Sequence, residues 1–186
     1  TGSAIEMYKK HTPGRRALVF AASIEHSKHV VEQFNAAGVP AEHVDGETKP
    51  EVRDNAVLRF EQGRTLVLSN VDLFGEGFDL PSLEVAIMLR PTKSTCLFLQ
   101  QCGRALRTYP GKSEAIILDH VGNVARHGFP DDDRQWTLAG REANRRTAEA
   151  GKSVKVCGKC FAAMWGNVVQ CSYCGYIFEI KPREVR

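Results

Sequence analysis

Four cysteines near the C-terminal end carry the sharpest chemical signal in the sequence. Cys157-x-x-Cys160 and Cys171-x-x-Cys174 are separated by ten residues. Each C-x-x-C pair spans a tight turn that lets both sulfurs face one point. Two such turns supply tetrahedral sulfur ligation, which favours Zn²⁺. Gly158 and Gly175 suit those turns because they tolerate unusual backbone angles. Four protein ligands leave no open coordination position, so the expected role is structural. The metal would supply folding energy that so short a segment cannot draw from a core. Phe161, Trp165, Tyr173, Tyr176 and Phe178 are expected to pack around the metal, with stacking on bases as a second use. The other two cysteines, Cys96 and Cys102, stand apart. Clustering of this kind argues for metal binding in a reducing cytosol rather than a disulfide framework.

Gln100-Gln-Cys-Gly-Arg104-Ala-Leu-Arg107 is the second signal. Two arginines three apart are expected on one helical face, each offering a permanently charged planar fork to phosphate oxygens. A surface helix with two solvated arginines is the bland alternative. The third signal is Ser69-Asn-Val-Asp-Leu-Phe-Gly75-Glu-Gly77-Phe-Asp79. Its two glycines permit close backbone approach to a ligand, and Asp79 can accept hydrogen bonds from ribose hydroxyls.

These residues sit among alternating strand-like and helix-like segments. The apolar run at 17–22 reads as a parallel strand covered on both faces, and 41–44, 65–69, 85–89 and 115–118 read as further strands. Ser23 is an expected N-cap for a helix with Val30, Val31 and Phe34 on its inner face, ending near Gly38. Pro50 opens a second helix and Ser94 or Thr95 a third. Five strands with helical crossovers imply a parallel α/β sheet with helices on both faces. Ligands of such sheets sit beyond the carboxyl ends of the strands. Ser23, the 69–79 segment and the helix bearing Arg104 are therefore the expected site-bearing elements.

In this order the motifs resemble the second RecA-like domain of superfamily 2, DEAD/DEAH-like, helicases. The resemblance covers residues 15–120, followed by a four-cysteine zinc ribbon. Residues 17–23 look like motif IV, 69–79 like motif V, and 100–107 like motif VI. It implies that Arg104 and Arg107 are arginine fingers for ATP held by a preceding RecA-like domain. Gly77 and Asp79 would meet the nucleotide from this side, and Gln100 would couple nucleotide state to closure. Ser23, Ser69 and Asn70 would lie near the backbone of DNA or RNA, DNA being the expected substrate. Residue 69 is Ser where many relatives have Thr, which keeps the hydroxyl.

A motor of this kind also needs a phosphate loop and an acidic Mg²⁺ site. Gly111-Lys-Ser113 and Gly151-Lys-Ser153 lack the upstream glycine, having Leu106 and Arg146 in its place. Ile116-Ile-Leu-Asp119 resembles a Walker B strand but lacks the paired acid, and reads as the last core strand. The chain alone is thus not expected to hydrolyse ATP. The competing reading is a non-enzymatic nucleic-acid binder with a RecA-like scaffold. A third is a flavodoxin-like domain with a chance motif set.

The expected organisation is an N-terminal extension or tag remnant (1–14), the RecA-like domain (15–133), a helical linker (134–155), the zinc module (156–180) and a tail (181–186). Residues 134–186 hold ten Lys and Arg against four Asp and Glu, although the whole chain carries only +3. A basic tail suits a surface near phosphates. No apolar run is long enough to cross a bilayer, so no membrane partner is expected, and the start lacks the pattern of a signal peptide. The expected location is cytoplasmic. Cys102 reads as a small packing residue and His26 and His29 as surface positions; His120 and His127 suggest no role.

Overall fold

A computed structural model of the chain describes residues 2–71, 80–134 and 153–178. The chain forms two compact units, residues 1–123 and 124–186.

The first unit is built on five parallel strands: β1 (Ala17–Phe20), β2 (Ala41–Asp45), β3 (Val67–Val71), β4 (Val85–Met88) and β5 (Ile116–Asp119). Their order across the sheet is β2-β3-β1-β4-β5. Central β1 pairs with β3 on one side and β4 on the other, and every residue of β1 is at most 1% exposed. A parallel strand covered on both faces favours apolar residues at every position, and Ala-Leu-Val-Phe is apolar throughout.

Helices α1 (Gly2–His11) and α2 (Ile24–Ala36) lie on one face. Their Tyr8, Val30 and Phe34 join Ala17, Val19, Val67, Val85 and Ile87 in one buried cluster. Tyr8 and Phe34 meet edge to face at 5.6 Å. Alternation along the strands sends Leu18, Phe20, Leu68 and Met88 to the opposite face. There α3 (Pro50–Glu61) packs on β2, and α4 (Thr95–Ala105) packs on β4 and β5. The three-layer architecture is that of a RecA-like domain, as the motifs implied.

The first residues do not form an extension. Ala4, Ile5 and Tyr8 of α1 are buried, and the Tyr8 hydroxyl donates to the Arg15 carbonyl at 2.6 Å. The sequence hid this because only Ala4, Ile5, Met7 and Tyr8 make the face, ahead of Lys9, Lys10 and His11. The first unit closes at Asn123, before the expected boundary at 133. Asn123 opens α5 (Asn123–His127), and its amide pins the loop after β4, accepting from Thr92 N and donating to Arg90 O.

In the second unit, β6 (Val154–Val156) and β7 (Ala163–Trp165) form an antiparallel hairpin. Phe129, earlier in the chain, packs edge-on against Trp165 at 4.8 Å. Most of the expected helical linker, residues 135–152, lies outside the described residues.

Candidate functional site

Helix α4 positions the arginine pair. Ser94 caps its first turn, accepting from the Leu97 amide at 3.2 Å. Phe98, Gln101, Cys102 and Ala105, at helical spacing, form its buried face. Cys102 is thereby a packing residue, as expected. Arg104 lies on the flank of that face, half-buried, and Gln100 is exposed. The helix ends at Ala105, so Arg107 stands beyond it, exposed, and does not share its helical face. Lys112 fixes this end by donating to the carbonyls of Ala105 and Arg107. The lysine of one false phosphate loop thus caps a helix C-terminus.

The arginine pair is not at the carboxyl edge of the sheet. Helix α4 starts after the carboxyl end of β4 and must deliver the chain to the amino end of β5, so it runs antiparallel to the strands. Residues around its end meet the starts of other strands. The Arg16 guanidinium, just before β1, lies 5.9 Å from the Tyr109 ring centroid. Arg15 pairs with Glu114 at 2.7 Å. The carboxyl-edge rule describes a ligand cradled by one sheet; here α4 carries the arginines to the other end.

Ser69 and Asn70 were expected to face nucleic acid, and the structure buries both, at 0% and 1% exposure. The Asn70 amide donates to Val19 O at 2.8 Å. Ser69 Oγ lies 2.6 Å from Ser27 Oγ, which lies 2.7 Å from His43 Nδ1. His43 Nε2 is 2.9 Å from Asp45 Oδ2. With the carboxylate as terminal acceptor and a neutral imidazole, protons run from Ser69 to Ser27 to His43 to Asp45. The Thr48 hydroxyl, followed by His43 and the Glu47 amide, outweighs burial and holds Asp45 below the usual carboxylate range. The network ties β3, where the motif-V-like segment begins, to α2 and β2. Nothing in the sequence marked it, because its four members are scattered from 27 to 69. Gly77 and Asp79 lie outside the described residues.

Ser23 takes the structural option, its hydroxyl accepting from His26 N at 3.2 Å as the α2 N-cap. At the carboxyl edge, His26 is half-buried rather than a plain surface residue. It lines a cavity of about 270 Å³ with Ser3, Leu89 and His120. Burial lowers the pKa of both histidines, favouring their neutral forms. Asp119 accepts from the Val121 amide at 3.2 Å in a local turn, and β5 is an edge strand, in keeping with a last core strand.

The cysteines converge as their spacing predicted. All four sulfurs lie within 4.8 Å of one another. Tetrahedral Zn–S bonds of about 2.3 Å place sulfurs about 3.8 Å apart; the pairs 157–174 and 160–171 stand at 3.7 and 3.5 Å. Backbone amides of Cys160 and Lys159 lower the Cys157 thiol to about 6, against burial. For Cys171, burial is outweighed by the amides of Cys174 and Tyr173, and its pKa also falls. Cys174 is pushed up to about 12: the Tyr176 amide favours its thiolate, but burial and the neighbouring sulfurs win. Such a quartet cannot ionise fully without a cation among the sulfurs, so the donor set fits a divalent thiophilic metal.

The aromatic residues do not all surround the sulfurs. Phe178 packs on the cluster with Met164, Ala162 and Val168. Phe161, Tyr173 and Tyr176 are exposed at 55%, 76% and 40%. Phe161 also has φ +63°, the left-handed region, which costs a non-glycine residue roughly 1–2 kcal/mol.

Comparison with known proteins places the arginine segment in a family. Residues 3–109 match the model described as helicase conserved C-terminal domain. The chain belongs to that family, and its first unit is the C-terminal RecA-like domain of a superfamily 2 helicase. It is 39% identical over 184 residues, 98% of its length, to a 51.5 kDa protein of a Lactococcus phage, of which it spans 40%. It is 33% identical over 117 residues, 62% of its length, to a Saccharomyces cerevisiae protein named provisionally as ATP-dependent helicase IRC3, of which it spans 17%. Among solved structures, the Escherichia coli DEAD-box protein SrmB, bound to regulator of ribonuclease activity A, superposes with a TM-score of 0.54 at 25% identity. That match covers 67% of this chain and 77% of that one. The chain therefore spans less than half the length of these two sequence relatives.

The buried network makes stability depend on pH. A carboxylate with a depressed folded-state pKa stabilises above its unfolded value, about 3.9, and ceases to do so as pH falls through the folded value. Asp45→Asn should lower the urea midpoint at pH 7, and the gap to wild type should narrow on acidification below about pH 4. A gap that is the same at pH 7 and pH 3 would refute the ionised-acceptor assignment.

Proposed function

We propose that this chain is the second motor lobe of an ATP-driven, nucleic-acid-dependent helicase, with DNA as substrate, working in a reducing cytoplasm. ATP and Mg²⁺ bind on a preceding RecA-like lobe, because no phosphate loop occurs in this sequence. Closure of the cleft brings Arg104 and Arg107 to the γ-phosphate, where guanidinium forks stabilise charge spread over the equatorial oxygens. Gln100, one turn before Arg104, senses the closed state, and Gly77 and Asp79 meet the nucleotide. Opening and closing shift two nucleic-acid-binding surfaces relative to each other.

The observation that carries this reading is the family match, which extends through the arginine segment, together with the absence of both arginines from the buried face of α4. Ser94 and Lys112 anchor the two ends of that helix, so the guanidinium groups depart from a fixed base. A site shared between lobes does not require the carboxyl edge of this sheet, because the phosphates are cradled by the other one.

In the intact protein, Arg104→Ala should reduce nucleic-acid-stimulated ATP turnover by roughly 10³–10⁵, and the 186-residue chain alone should show no turnover. Unchanged turnover in the variant would defeat the finger assignment.

Cys157, Cys160, Cys171 and Cys174 hold one structural Zn²⁺, which when bound supplies the charge that lets all four sulfurs ionise. Metal analysis under reducing conditions should give a zinc-to-chain ratio near one, lost in Cys157→Ser with the sheet domain still folded. A ratio near zero for wild type would rule the site out.

A further inference from the structure

The last carbonyls of a helix have no partner within it and must be satisfied from elsewhere. For α4 the partner comes from downstream. Tyr109-Pro-Gly-Lys112 is a reverse turn, closed by the Lys112 amide donating to the Tyr109 carbonyl at 3.0 Å. Proline at its second position and glycine at its third, with φ +81° at Gly111, are the signature of a type II turn. The turn sends Lys112 back to the end of α4. There its ammonium donates to the Ala105 carbonyl and, at 2.7 Å, to the Arg107 carbonyl. A cation at this end also meets the negative pole of the helix dipole.

The same segment has a second anchor, on the sheet. The Arg16 guanidinium lies 5.9 Å from the Tyr109 ring centroid. Arg16 is itself fixed: its carbonyl accepts from the Glu84 and Val85 amides, both at 3.0 Å, and its guanidinium donates to the Glu61 carbonyl at 3.3 Å. Residues 105–112 therefore make a loop tied to α4 by Lys112 and to the start of β1 by Tyr109. Arg107 stands inside that loop and beyond the helix, so its backbone is placed by the loop rather than by the α4 ladder.

Water can satisfy an exposed helix end equally well. A lysine that returns from seven residues away to bridge two carbonyls adds geometry. Lys112 is half-buried, and desolvation lowers its pKa, with Glu84 opposing. Its ammonium is thus partly withdrawn from water and held by its carbonyl partners. A charged group that acts on a transferring phosphoryl needs such fixing, because a misplacement of about 1 Å can cost about 100-fold in rate. We infer that Lys112 is a positioning residue for ATP turnover: by bridging the Ala105 and Arg107 carbonyls, it sets where the Arg107 guanidinium departs from the domain. The inference rests on the finger role proposed above for Arg107.

A double-mutant cycle in the intact protein tests it. Lys112→Met keeps the aliphatic stem and removes the charge and the donors. It should lower kcat for nucleic-acid-stimulated ATP turnover by about 10- to 100-fold, with KM for ATP little changed. In an Arg107→Ala background the same change should cost less than about 2-fold, because the group it positions is gone. Gly111→Ala adds a Cβ into open space and strains only the turn. Its loss should be smaller and should likewise vanish in the Arg107→Ala background. An equal loss from Lys112→Met in both backgrounds would reduce the lysine to a helix cap and overturn the inference, as would wild-type turnover in Lys112→Met. Unchanged turnover in Arg107→Ala alone is a different failure: it removes the finger role of Arg107 and, with it, this inference.

Discussion

Parallel pairing of β1 with both β3 and β4 is the constraint on which the first unit rests. A parallel strand delivers the chain to the far end of the sheet, and the next strand cannot begin until the chain returns. Helices α2, α3 and α4 make those returns, and their ends are fixed by the sheet rather than by local sequence. Helix α4 is the instructive case. Its N-terminus is held near the carboxyl end of β4 by the Ser94 cap and by the Asn123 amide. Its C-terminus must therefore reach the other end, where Lys112 closes it and Arg104 and Arg107 emerge. The same pairing buries β3 on both faces, leaving Ser69 and Asn70 no route to solvent.

Much of this was legible in the sequence for a physical reason. Strands buried on both faces favour apolar side chains, so Ala17–Phe20 and Val85–Met88 stand out as continuous runs. Caps have their own chemistry, and Ser23 and Ser94 both do what a helix-starting serine does. Cysteine spacing is equally direct, since a C-x-x-C turn has few conformations. Failures arose where tertiary context decided. Helix α1 is a ten-residue segment whose apolar residues, Ala4, Ile5, Met7 and Tyr8, are too few to announce burial. Ser69 looks like a serine at a strand end, and its commitment to Ser27, His43 and Asp45 depends on pairing between β2 and β3. The end of α4 before Arg107 is set by the Lys112 clamp, five residues downstream of that arginine.

The two units are stabilised by different means. The first has a continuous apolar core, with Phe34, Phe60 and Phe98 fully buried. Among its described residues the second has Met164, Ala162, Val168 and Phe178 around the sulfurs, and the proposed structural metal would supply what so small a cluster cannot. Of the aromatic residues near the cysteines, Phe178 packs on the sulfur cluster as expected, whereas Tyr173 and Phe161 are exposed. A small cluster centred on four sulfurs has room for few large side chains.

The proposed motor role depends on where the guanidinium groups lie when the two lobes close. A structure of the intact protein with nucleic acid and ADP–aluminium fluoride would measure this directly. The Arg104 or Arg107 guanidinium is predicted to lie within about 3.2 Å of the fluoride that mimics the γ-phosphate. Both groups turned away from the analogue, with the two lobes closed around it, would contradict the account.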